Sequence, residues 1–356
     1  MSDTRTRLAA GWAAAYGTLA LFWTVTGHGY PFGGNDPAPD TSALRGLGPD
    51  VGAPLFAAVL LTAAVALLAT AGGTSRGPLR YALSGYLWLT AGALLLLVPD
   101  VRLLAFAGYL PMLIAGLPFG WPPVDYGDVL TWTLGNQALA LTGGVLIVRA
   151  VLTWQRRAAG ACEDCGRRDD GEAGWTSPRA AARWGRIAVW IAAACPAVYA
   201  VSRLAWAAGI PLGIDAGELS AMRAGGAAVA PAGLGAFALA GAILTLGLTQ
   251  RWGERFPRWM VGLAGKPVPI RLATVPATIV ALLVASASVW VVTGEHSVSM
   301  FDGAVVPVLL WPLWSVALGA ATYAYHLRRR PPCTRCEGHG NDDVPGLFTG
   351  SGTGAY

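Results

Sequence analysis

Eight apolar runs, each close to the roughly 20 residues that a helix needs to cross a bilayer, constrain this chain more than anything else in it. They cover positions 9–28, 53–71, 81–98, 129–153, 187–208, 228–249, 272–293 and 304–326. A soluble domain carries roughly 25% charged residues. Here 13% are charged against 54% hydrophobic, with a mean hydropathy of +0.50, which excludes an ordinary soluble enzyme. The expected fold is an all-α integral membrane protein. Met1–Leu8 bears Arg5 and Arg7, but the run behind it is too long for a signal h-region and lacks a clear small-residue cleavage site, so it reads as a retained first span.

A ninth run, Leu103–Phe119, is shorter, is interrupted by Pro111 and Pro118, and is flanked by Asp100, Arg102 and Asp125. Charge decides how to treat it. With eight spans and the N-terminus inside, 20 of the 25 basic residues fall on the inner side and only Arg45, Arg102 and Arg223 on the outer side. That asymmetry is the positive-inside signature. A full crossing by 103–119 would move the Arg-rich loops of the second half outside, so the run is expected to be a re-entrant or interfacial outer segment. Both termini are then cytoplasmic in a multi-pass protein of the cell membrane. The net charge of +5 and pI near 9.1 are explained the same way. The basic residues are scattered between spans and form no dense patch, which argues against a nucleic-acid partner and leaves the lipid bilayer as the surrounding.

The chain repeats itself. Gly29-Tyr30-Pro31-Phe32-Gly33 follows the first span and Gly209-Ile210-Pro211-Leu212-Gly213 the fifth. The fourth span closes on Trp154-Gln155-Arg156-Arg157 and then Cys162-Glu163-Asp164-Cys165, the eighth on His326-Leu327-Arg328-Arg329-Arg330 and then Cys333-Thr334-Arg335-Cys336. Two four-helix units of equal orientation make tandem parallel repeats, related by an axis along the membrane normal. The expected division is 1–154 for the first repeat, 155–186 for a cytosolic linker with one CxxC, 187–327 for the second repeat, and 328–356 for a cytosolic tail with the other CxxC and a disordered end. Ser177-Pro178 reads as an N-cap followed by proline at the first helical position, so the fifth helix is expected to start well before its apolar core.

The two CxxC pairs carry the sharpest chemical signal. Thiolates two residues apart face one ion across a tight turn, and two such knuckles complete the tetrahedron zinc prefers. Gly166, directly after Cys165, suits that turn. Cys162, Cys165, Cys333 and Cys336 are therefore the expected ligands of a structural zinc site clamping the two halves. A thiol redox pair, an iron–sulfur cluster, or thiols without a role are the other readings of the same spacing. Cys195, inside the fifth span, reads as a packing residue.

Polar residues within spans are few, and each is costly in lipid unless partnered. Asn136 and Gln137 in the fourth span and Arg203 near the outer end of the fifth are the candidate substrate contacts. Interhelical hydrogen bonding and snorkelling are the plainer alternatives. No Asp or Glu lies deep in a span. The outer loops hold ten acidic residues, Asp36, Asp40, Asp50 and Asp100 among them, read here as solvated; His28 and His296 sit at the same rim. Between spans six and seven, Trp252, Phe256, Trp259 and Met260 would share one helical face beside Arg251, Arg255 and Arg258, a pattern that lies on anionic lipid, although Pro257 splits it. No H-E-x-x-H, phosphate-binding loop with Lys, G-x-S-x-G or Ser-His-Asp set is present.

The stretches Arg203–Gly213 and Leu246–Trp259 resemble multi-pass membrane proteins of actinobacteria, a family of unknown function. The resemblance covers roughly positions 200 to 280 and implies membrane residence without a mechanism. The expected function is movement or sensing of a small solute without enzymatic chemistry. A membrane-bound thiol redox enzyme and a scaffold for a cytosolic protein partner are the alternatives.

Overall fold

The computed structural model describes residues 2–71, 77–120, 125–167, 174–225, 229–293, 306–330 and 333. Among them every regular element is helical, and the only strand-like pairing is one bridge between Arg255 and Pro267. The helices are α1 (Ser2–Thr26), α2 (Pro49–Ala71), α3 (Pro78–Gly92), α4 (Val101–Gly116), α5 (Tyr126–Val129), α6 (Trp132–Ala158), α7 (Pro178–Ala208), α8 (Ala216–Ala224), α9 (Val229–Leu246), α10 (Ile270–Thr293) and α11 (Trp311–Arg328). Nine helices among the described residues are long and apolar enough to cross a membrane. The disordered tail expected beyond Gly338, His296 and Cys336 lie outside the described residues.

Helix starts follow the capping chemistry of the sequence. The Ser177 hydroxyl accepts from the Ala180 N–H at 3.3 Å, and Pro178 opens α7, which then runs for 31 residues. Gly77, at φ 72°, precedes Pro78 at the head of α3. After Gly92 that helix widens into a π turn, Ala93–Leu97, closed by the Val98 N–H on the Ala93 carbonyl at 3.1 Å. Such turns recur where a helix is re-aimed near functional groups.

Connections fix the two ends of the bundle. Trp132 Nε1 donates to the Gly29 carbonyl, Thr133 Oγ1 to Pro31, and Trp290 Nε1 to Asp40, so the end of α1 and the starts of α2 and α6 meet the end of α10. The opposite end gathers the start of α1, the end of α6 and the end of α11, through Arg5 on Asp164 and Cys162 beside Cys333. We call these the cleft end and the thiol end.

The two sets of four long helices share three packing contacts, and in the first set α2 also packs on α3 and α6. The shared ones are the first helix on the second and on the fourth, and the third on the fourth, both for α1, α2, α3, α6 and for α7, α9, α10, α11. Close approach relies on small residues, as it must where lipid supplies no hydrophobic drive between helices. A side chain at Gly143 would run into the Trp12 ring, and one at Gly185 into Ala324. The first set surrounds a ring cluster of Tyr16, Trp23, Tyr30, Phe32 and Phe56, with centroids 5.6–6.4 Å apart.

By length and composition α4, extended by a 3-10 turn to Phe119, qualifies as a ninth span, which the break at Pro111 did not suggest. Its packing joins the two helix sets. Asp100 at its start touches Gln137, five residues into α6, while Gly108 faces Leu234 and Met112 faces Gly233, both within the first turns of α9. Eight to twelve helical residues rise about 12–18 Å. Over that length α4 leads from α6 of one four-helix set to α9 of the other. Helix α4 is thereby a wedge, touching α6 on one side and α9 and α10 on the other.

Candidate functional site

Two groups of side chains stand out, one at each end. At the thiol end the loop after α6 folds back as a knuckle. The Cys162 N–H donates to the Arg167 carbonyl at 2.9 Å, the Gly166 N–H donates to the Cys162 carbonyl at 2.8 Å, and Gly166 takes φ +73°. Only glycine enters that left-handed region without a Cβ penalty. Cys333, arriving from α11, completes a group in which the sulfurs of Cys162, Cys165 and Cys333 lie within 4.8 Å of one another. Cys162 and Cys333 are 3.8 Å apart. A disulfide would require about 2.05 Å. The fourth expected ligand, Cys336, is outside the described residues.

Arginines hold this loop from several directions. Arg5 pairs with Asp164 at 2.8 Å and Arg157 with Glu163 at 2.7 Å. Arg156 Nη1 reaches the carbonyls of Glu163 and Asp164 at 3.4 and 3.2 Å, and Arg167 donates to the Arg330 carbonyl at 3.4 Å. The knuckle is therefore tied to α1, to α6 and to the end of α11 by contacts that do not involve sulfur.

At the cleft end, the sequence candidates Asn136 and Gln137 are both fully buried. Asn136 is satisfied between helices: its Nδ2 donates to the Trp132 carbonyl at 2.8 Å and its Oδ1 accepts from Tyr16 at 3.1 Å. Gln137 joins a charged group. Its Nε2 donates to Asp100 Oδ2 at 2.7 Å. Asp100 caps α4 by accepting the Arg102 N–H at 2.9 Å, and the Arg102 guanidinium spans Asp100 and Asp36, with pairs of 2.5 Å to each. Gln137 Oε1 is enclosed without a hydrogen-bond partner among the described residues.

Asp36 and Asp100 are the residues that the sequence reading missed. Both were expected in solvated loops; they are 5% and 2% exposed. The available signal was Asp-Val-Arg at the head of an apolar run, where an aspartate at the N-cap position and an arginine two residues on form a pair. An open cleft of about 400 Å³ is lined by Tyr30, Asn35, Pro37, Trp132 and Thr133 among others, so the residues flanking Asp36 border it while Asp36 and Asp100 themselves do not.

Arg203 does not join this group. It is buried on its own helix, with its guanidinium 4.7 Å from the Tyr199 ring centroid and 4.1 Å from that of Trp206, and Gly235 packs against its stem. The arginine–aromatic face expected at 251–260 is corrected. Arg251–Gly253 forms one 3-10 turn, and then the chain folds back: Phe256 exchanges N–H···O bonds with Lys266 and Gly265 at 3.0 Å, and the Val268 N–H reaches the Glu254 carbonyl at 2.9 Å. Pro257 is the cause, since it lacks an N–H and biases Phe256 to an extended backbone. Arg251, Trp252, Arg255, Arg258 and Trp259 remain exposed on this loop and Phe256 is half-buried. Glu254 holds the loop to Arg328 of α11 at 3.1 Å, and Tyr325 donates to the Gly253 carbonyl at 2.7 Å.

No family model, no curated protein and no solved structure matches the chain.

Proposed function

We propose that this is a cell-membrane protein that moves or senses a small solute at the seam between two tandem four-helix units, with a structural zinc ion joining those units on the cytosolic side. The observation that carries the reading is the buried polar set at the cleft end. Gln137, Asp100, Arg102 and Asp36 are polar or charged groups gathered where the start of α4 meets α6, and residues on either side of Asp36 and one helical turn before Gln137 line the cleft. Intramembrane polar groups at such a seam are expensive and are retained where they handle a ligand. The three packing contacts that the two helix sets share support the repeat, and the 20-to-3 distribution of basic charge supports cytoplasmic termini.

The thiol spacing supports zinc. Ligand bonds of about 2.3 Å in a tetrahedron put neighbouring sulfurs about 3.8 Å apart, the separation of Cys162 and Cys333. Four thiolates on Zn²⁺ leave a charge of −2. Arg5, Arg156, Arg157 and Arg167 around the knuckle exceed its two acids, Glu163 and Asp164, by the same amount. Cys336 would be the fourth ligand. The loop bearing Arg251, Trp252, Arg255, Phe256, Arg258 and Trp259 would rest on anionic lipid.

Uptake of a panel of small labelled amines, amino acids and carboxylates into proteoliposomes tests the solute reading. At least one compound should accumulate, and the Asn136→Ala/Gln137→Ala variant should lose that uptake. Absence of movement across the panel, or unchanged movement in the variant, contradicts it.

A further inference from the structure

We propose that Asp36, Asp100, Arg102 and Gln137 bind a primary ammonium cation that reaches them from the neighbouring cleft; the inference deepens the solute reading above and rests on it for the site's purpose. Charge gives the first argument. Two enclosed carboxylates share one guanidinium, which leaves one negative charge uncompensated among these groups, and such a charge is costly to bury.

Hydrogen-bond valency gives the second. Asp36 Oδ1 accepts from Arg102 Nη1 and from the Ala38 N–H, and its Oδ2 accepts from Arg102 Nη2. Asp100 Oδ1 takes the Arg102 N–H and Nε, and its Oδ2 takes Nε, Nη2 and Gln137 Nε2. The Gln137 amide cannot turn round, because a carboxylate oxygen only accepts. Its Oε1, fully buried and unpartnered among the described residues, is thus a fixed acceptor beside a net negative charge. A positively charged N–H donor satisfies both at once. A hard metal ion instead takes about six or more oxygens, and here the Asp100 oxygens are already filled by donors and only Asp36 Oδ2 retains a lone pair.

Access gives the third. Thr133 lies one helical turn before Gln137 on the same face of α6 and lines the cleft, as do Asn35 and Pro37 on either side of Asp36. Trp132, 53% exposed, supplies an aromatic wall, a surface that attracts ammonium.

Thermal unfolding of the detergent-purified full chain, titrated at constant ionic strength with methylammonium, potassium or tetramethylammonium chloride, tests the proposal. Methylammonium should raise Tm in a concentration-dependent way. Potassium and tetramethylammonium, which carry the charge without N–H, should not. Gln137→Leu should weaken the methylammonium effect about tenfold or more; Asp36→Asn, which removes the surplus charge and keeps the shape, should do the same and serves if the first variant does not fold. Equal stabilisation by all three cations, no response to methylammonium, or an undiminished response in the folded variants would overturn the site. Methylammonium flux is read separately. Specific binding without flux keeps the site and counts against transport, whereas movement of another solute without methylammonium binding keeps transport and removes the site.

Discussion

Tyr30 shows how sharply single residues are determined at the cleft end. Its ring packs among Trp23, Phe32 and Phe56, and its hydroxyl, directed at Gly52, is enclosed without a hydrogen-bond partner among the described residues. An unsatisfied buried hydroxyl costs about 1–3 kcal/mol, so Tyr30→Phe should stabilise the protein by about 1 kcal/mol in thermal or chemical denaturation. Burial also pushes the Tyr30 phenol up to about 12. A raised pKa in the folded state contributes stability that is complete below the ordinary value near 10. That contribution fades as pH climbs from about 10 to 12, so wild type should lose stability across that window more steeply than Tyr30→Phe. A variant that is destabilised at neutral pH, or equally steep, would show that the hydroxyl has a partner. At this scale Gln137 was legible in the sequence, because an amide inside an apolar run is conspicuous whatever its surroundings. Asp36 was not, because its burial depends on Arg102 reaching 66 positions back along the chain, a pairing that no local pattern encodes, whereas Asp100 had its signal in the Asp-Val-Arg at the head of the apolar run.

Helix α4 is where length and packing point in different directions. Its apolar run is long enough to cross, yet contacts at Asp100, Gly108 and Met112 keep it near the starts of α6 and α9. A cysteine introduced at Phe119, which is exposed, should react with a membrane-impermeant maleimide from the same side as one introduced at Asp40. Site-resolved mass spectrometry reads this in the presence of the native thiols. Labelling of position 119 from the opposite side would mean a ninth crossing. The charge distribution predicts labelling from that same side, since it sums over the whole chain and is insensitive to local breaks. The loop at 251–268 was misread for the converse reason: a helical wheel assumes the backbone, and Pro257 with the Phe256–Lys266 pairing overrides it. Its exposed Arg251, Arg255 and Arg258 still make a basic rim. In nanodiscs, replacing zwitterionic by anionic lipid should raise Tm for wild type and raise it less for the Arg251→Gln/Arg255→Gln/Arg258→Gln variant, each charge near an anionic surface being worth about 1 kcal/mol. An equal rise in both would place this loop away from the lipid.

At the scale of the molecule, the two four-helix sets meet at both ends. At the cleft end α4 and the 93–97 turn pack on α10 and Trp290 donates to the Asp40 carbonyl, and at the other end the Cys162 knuckle lies beside Cys333. The helical membrane architecture was legible from hydropathy, and the proximity of Cys333 to the Cys162–Cys165 pair from the repeat, although 171 positions separate Cys162 from Cys333. Their 3.8 Å spacing was not, because it depends on how α11 leaves the bundle and on the arginines that fold the knuckle. Joining the sets through one ion is the central claim, and metal content per chain tests it most directly. Elemental analysis of detergent-purified protein should find about one zinc per chain, lost in the Cys162→Ser/Cys165→Ser/Cys333→Ser/Cys336→Ser variant. Protein that is folded, metal-free and readily alkylated at Cys162, Cys165 and Cys333 would contradict it and make the thiols themselves the reactive groups.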